Sequence, residues 1–148
     1  MTDILFYHLE RTGLGAVLPG LLEKCLERNW KVTLRCGDEA AVAKLDDHLW
    51  RYSDDSFLPH GTQNPEHQPI YLTTSEKNAP DTDVLFLVEG ATAPVDALSG
   101  LTRCITIFDG AKADHLTSAR TSWKELKDAD MTATYWKQAG NGGWEQKG

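Results

Sequence analysis

No run of apolar residues in this 148-residue chain approaches the roughly 18 needed to cross a bilayer as a helix. The first residues, Met1-Thr2-Asp3-Ile4, have neither the basic stretch nor the long apolar core of a secretion signal, so the expected location is the cytoplasm. Cysteine is scarce. Cys25, Cys36 and Cys104 contain no CxxC pair, which argues against a disulfide framework and a cysteine-rich zinc site and leaves three reduced, mostly buried thiols. Positive charge is also short: 15 Lys/Arg against 22 Asp/Glu give a net charge of −7. A surface built to neutralise DNA or RNA phosphates has the opposite balance, so tight direct binding to nucleic acid is not expected.

The signatures of several chemistries are missing as well. Neither a GxxxxGK phosphate loop nor GxGxxG occurs, and the nearest stretch, Arg11-Thr12-Gly13-Leu14-Gly15, lacks the third glycine and the lysine. Its glycines read as turn formers. His8, His48, His60, His67 and His115 sit in no HExxH or Cys/His spacing, and a metal needs three or four converging ligands. The loop histidines His60 and His67 are expected in solvent. No serine lies in a GxSxG elbow, and the pairs Asp46-Asp47 and Asp54-Asp55 point apart rather than toward one substrate. No catalytic residue, metal or cofactor is expected in this chain.

What is present is ordinary globular material, 41% apolar and 25% charged, enough for one domain over residues 1–148. Ile4-Leu5-Phe6-Tyr7 has strand character. Leu14, Val17, Leu18, Leu21, Leu22, Cys25 and Leu26 follow at helical spacing, with the regular helix expected to begin near Pro19. Val32 to Cys36 reads as a second strand, and Asp38 as the N-cap of a helix burying Val42, Leu45 and Leu49. Val84 to Val88 is apolar on both faces, as a doubly covered parallel strand requires, and Cys104 to Phe108 is similar. Residues 112–128 predict a last helix, and Gly140-Asn141-Gly142-Gly143 a turn in a terminal hairpin that would pack Trp136 and Trp144. The fold class is therefore α/β: a single domain with a mostly parallel sheet flanked by helices, Rossmann-like without a phosphate loop, ending in a hairpin.

Two places stand out. Residues 51–69 form a long polar, turn-rich segment with Phe57 and Leu58 in its middle, which either anchor the loop on the sheet or dock a partner. Charge is also uneven along the chain: residues 1–110 hold nine Lys/Arg against 17 Asp/Glu, residues 111–148 six against five. On the last helix Arg120, Trp123, Lys124 and Lys127 fall on one face, where the guanidinium can grip a carboxylate at two points and the ring can pack an apolar group. An acidic peptide ending in an apolar residue suits such a face. The same spacing also permits Trp123 to face the core above an ordinary solvated charge pattern.

These segments resemble, in order along essentially the whole chain, the chi subunit of bacterial DNA polymerase III, a component of the clamp-loader complex. The resemblance is carried by Phe6-Tyr7-His8-Leu9, Leu45-Asp46-Asp47-His48-Leu49-Trp50, Ser56-Phe57-Leu58-Pro59-His60-Gly61, Gln68-Pro69-Ile70, Phe108-Asp109-Gly110, Ala119-Arg120-Thr121-Ser122-Trp123-Lys124 and Tyr135-Trp136-Lys137-Gln138. It implies a non-catalytic replication subunit that receives the acidic C-terminal tail of single-stranded-DNA-binding protein. Arg120 then matches the tail-binding arginine, Lys124 the lysine after it, and Trp123 an aromatic position. Some members carry a further lysine where this chain has Leu116, with Lys112 one turn back. Phe57 matches the region through which some members bind the psi subunit; another clamp-loader subunit or a helicase-like protein are the other partners the resemblance allows. The competing expectation is a nucleotide-binding enzyme working at the strand C-terminal ends, where Asp38, Glu89 and Asp109 would line the crevice.

Overall fold

The computed structural model describes residues 2–10, 13–51, 60–98, 100–138 and 144–147. The predicted partner-docking residues Phe57 and Leu58 and the turn at 140–143 lie outside them. The strands are β1 (Asp3–Leu9), β2 (Val32–Cys36), β3 (His60–Gly61), β4 (Ile70–Thr73), β5 (Val84–Val88), β6 (Arg103–Asp109), β7 (Ala133–Gln138) and β8 (Trp144–Gln146); the helices are α1 (Leu14–Glu27), α2 (Glu39–Arg51) and α3 (Ala113–Asp128). All eight strands form one sheet in the order β3-β4-β2-β5-β6-β1-β7-β8. Every pairing is parallel except β7 with β8, the expected terminal hairpin.

Side-chain alternation along the central strands divides the core in two. Val84, Phe86 and Val88 of β5, with Ile105 and Ile107 of β6, face α1 and α2 and meet Leu18, Leu22, Leu45 and Leu49. Leu85, Leu87, Cys104 and Phe108 point the other way, toward Ala119 and Leu126 of α3. Because both faces are covered, β5 is buried at every position, which is why it reads as an unbroken apolar run. Each fully buried Phe or Leu contributes about 1.5–3 kcal/mol relative to exposure.

Three expectations need correction. Helix α1 begins at Leu14, not near Pro19, which lies inside it; the missing Pro19 N–H is compensated by His48 Nε2, 2.7 Å from the Gly15 oxygen. The segment 51–69 is not one loop up to Pro69: α2 continues to Arg51, and His60 and Gly61 pair with Ile70 and Tyr71 of β4. His60 is buried rather than solvated, its Nε2 3.3 Å from Asp46 Oδ1 and its ring 4.4 Å from that of Trp50, whereas His67 is exposed as expected. Asp38 does cap α2: its Oδ1 accepts the Ala41 N–H at 2.7 Å.

Candidate anion-binding face on helix α3

Helix α3 covers β6 and β7 with Leu116, Ala119, Trp123 and Leu126, spaced for one inward stripe. Trp123 thus belongs to the edge of the core: its ring meets Phe6 (centroids 5.5 Å, 84°) and Tyr135 (5.8 Å, 87°) edge-on and remains half-buried. The core-facing alternative for this residue is therefore correct in part, and the cations flank the ring instead of sharing its direction. Arg120, Lys124 and Lys127 are exposed. Lys127 is already engaged, with Nζ 4.6 Å from the Trp123 ring centroid and 3.3 Å from the Ala133 carbonyl oxygen, so it ties α3 to β7. The side chains of Arg120 and Lys124 form no hydrogen bond or ion pair with another described residue.

A neighbouring group was not singled out in the sequence. His8 of β1 and Tyr135 of β7 lie on the α3 side of the sheet, with His8 Nδ1 2.6 Å from Tyr135 Oη. Glu10 stands 4.0 Å from His8 Nε2 and 3.3 Å from Lys137 Nζ. Burial pushes His8 below the usual histidine range, with Lys137 and Arg120 acting in the same direction and Glu10 and Asp109 against it. Burial raises Tyr135, and the Arg120 guanidinium opposes that rise. The positive field of Arg120 therefore reaches both rings. Each of the two lies in a segment that carries the family resemblance, but no local spacing shows that they meet, because His8 and Tyr135 are 127 positions apart.

Lys112 does not join this face; it precedes α3 and its Nζ lies 3.5 Å from Glu89 Oε2, beside the crevice at the strand C-terminal ends. That crevice has a volume of about 510 Å³ over a floor including Leu9, Leu45, Ile107 and Phe108. Of the three acids expected there, Glu89 and Asp109 line it, while Asp38 is occupied capping α2. Two cations of its rim are paired, Lys112 with Glu89 and Arg51 with Asp47, the Arg51 Nε lying 3.0 Å from Asp47 Oδ1.

Among the described residues no helix is long and apolar enough to cross a membrane, and no three His, Cys, Asp or Glu side chains converge as a metal site. The three cysteines are free and buried, as expected.

The family described as DNA polymerase III chi subunit, HolC, matches residues 1–134. A probable DNA polymerase III subunit chi of Rickettsia prowazekii (strain Madrid E) is 31% identical over 91 residues, 60% of this chain and 55% of that one. A DNA polymerase III subunit chi of Pseudomonas aeruginosa is 30% identical over 89 residues, 57% of this chain and 63% of that one. The match thus spans somewhat more than half the length of these curated relatives.

Proposed function

Because the chain belongs to the DNA polymerase III chi-subunit family, whose members are accessory subunits in DNA replication, we propose that it is a non-catalytic receptor for the acidic C-terminal tail of single-stranded-DNA-binding protein, linking that protein to the clamp loader. The observation that carries the reading is Arg120, an exposed guanidinium with no ion pair to a described residue, beside the half-buried Trp123 and the cation of Lys124. A guanidinium presents a planar fork that takes a carboxylate through two parallel hydrogen bonds, and an adjacent aromatic ring offers apolar contact to a terminal Phe. Lys124 supplies a second positive charge for the Asp residues of the tail. In a chain of net charge −7, this local cationic face orients an acidic ligand and speeds its arrival.

The second attachment, to a psi subunit, another clamp-loader subunit or a helicase-like protein, is assigned to the segment containing Phe57 and Leu58, outside the described residues. The exposed Trp50 near the end of α2 adjoins that segment in sequence.

The test is a fluorescence-anisotropy titration with a labelled peptide copying the acidic tail, with and without its terminal Phe. Arg120→Ala is expected to weaken binding about tenfold or more, the loss of a charge-assisted two-point contact, and added salt to weaken the wild-type complex. The site is wrong if folded Arg120→Ala binds the peptide as the wild type does.

A further inference from the structure

We infer that Tyr135 and His8 form the second half of the Arg120 anion site, with His8 setting the direction of the Tyr135 hydroxyl proton so that an acidic ligand's carboxylate is taken up together with a proton. The inference rests on the tail-receptor reading and deepens it.

The geometry makes the pair a unit. Strands β1 and β7 are adjacent and parallel, with Phe6 opposite Tyr135 and His8 opposite Lys137. The His8 ring stacks at a tilt on Phe108 (4.8 Å, 32°), meets Tyr135 edge-on (5.9 Å, 88°) and shows only 12% of its side chain to solvent. Gly110 is part of this seat, since a Cβ there would collide with the His8 ring. The ring therefore has little freedom to turn away from Tyr135.

Proton positions follow from the neighbours. Glu10 Oε1, 4.0 Å from His8 Nε2 and so beyond hydrogen-bond reach, still favours by its negative charge the tautomer protonated at Nε2, and we assign Nδ1 as the acceptor in the neutral ring. In that tautomer the single hydroxyl proton of Tyr135 is donated to His8 Nδ1 across the 2.6 Å contact. Its oxygen then offers only lone pairs to anything arriving beside Arg120, and a carboxylate is repelled. When His8 takes a second proton from solvent, that proton sits on Nδ1 and donates to Tyr135 Oη. The tyrosine proton is released to point outward, and a carboxylate there meets the Arg120 fork, a hydroxyl donor and an imidazolium.

The charged groups facing His8 are Glu10 after β1, Lys137 on β7, Arg120 on α3 and Asp109 at the end of β6. In the free protein, burial with Lys137 and Arg120 keeps the ring neutral below the usual histidine pH. A bound carboxylate offsets Arg120 and favours the imidazolium. By linkage, a ligand that raises His8's proton affinity binds more tightly as pH falls.

The experiment is the anisotropy titration of a short Asp-rich peptide ending in Phe with a free carboxylate, repeated from about pH 8 to about pH 5.5, where the peptide carboxylates stay ionised. Wild type is expected to bind about three- to tenfold more tightly at the acid end, because binding tightens by no more than the factor by which the ligand raises the proton affinity of His8. Tyr135→Phe and His8→Gln, each checked for folding by thermal denaturation, should lose that slope, as should a peptide with an amidated C-terminus. In NMR titrations of the imidazoles, saturating peptide should raise the His8 pKa in wild type and not in Arg120→Ala. Arg120-dependent binding with the same pH slope in Tyr135→Phe and His8→Gln would overturn the inference and leave the receptor reading standing. No binding to wild type at any pH would overturn both.

Discussion

Pro19 shows how one side chain repairs what another breaks. Within α1 its ring nitrogen has no proton for the Gly15 carbonyl one turn earlier, and His48 of α2 takes that place at 2.7 Å. Gly15 permits the approach, because a Cβ there would lie only 3.0 Å from the His48 ring. His48→Ala should therefore destabilise the protein by about 1–3 kcal/mol, the cost of an orphaned partly buried acceptor. In a Pro19→Ala background the new backbone N–H can serve Gly15, and the cost of losing His48 should shrink; urea denaturation of the four proteins in a double-mutant cycle measures it. Equal costs in both backgrounds would separate the two residues. Neither the helix start nor this bond was legible in the chain, since a proline inside a helical pattern signals an end or a beginning unless a distant donor is known. Arg35 was unreadable for a similar reason. The alternation of Val32 to Cys36 suits a half-exposed strand, yet Arg35 is 3% exposed, with its guanidinium bonded to the Glu76 carbonyl and Asn78 Oδ1.

Among the elements, helices α2 and α3, strands β1, β2, β5 and β6 and the terminal hairpin were visible, because their apolar periods of 3.6 and 2 or their continuous apolar runs are local properties. Strand β3 is two residues long, and β4 follows a polar stretch with little to separate it from a loop. On α3 the four candidate residues occupy successive turns of one helix, but their spacing did not show that Trp123 belongs to the inward stripe. That placement has an energetic consequence. Trp123→Ala should cost about 2–4 kcal/mol by removing ring contacts with Phe6 and Tyr135, whereas Trp123→Tyr should cost less than about 1.5 kcal/mol. Thermal or chemical denaturation distinguishes this from a solvent-facing tryptophan, whose removal changes stability by within about 0.5 kcal/mol.

For the domain in its entirety, the sheet with both faces covered isolates its thiols. Burial pushes Cys25 up to about 11 and Cys36 and Cys104 up to about 12, so none carries appreciable thiolate near neutral pH. A thiol reagent at about pH 8 should label the native protein only as fast as it opens, and label all three sites promptly in denaturant. Prompt labelling of any one in the native state would contradict its burial. The α/β class, the lack of a phosphate loop, the scarcity of cysteine and the concentration of cations near the C-terminus were all present in the linear order of residues, because burial period and charge are set by side chains a few positions apart. The sheet order, the meeting of His8 with Tyr135 and the separation of Lys112 from Arg120 were not. They depend on which strands become neighbours: β7 settles beside β1 rather than beside β6, from which the chain has just come. That choice joins residues 127 positions apart through pairing and packing that no local pattern encodes.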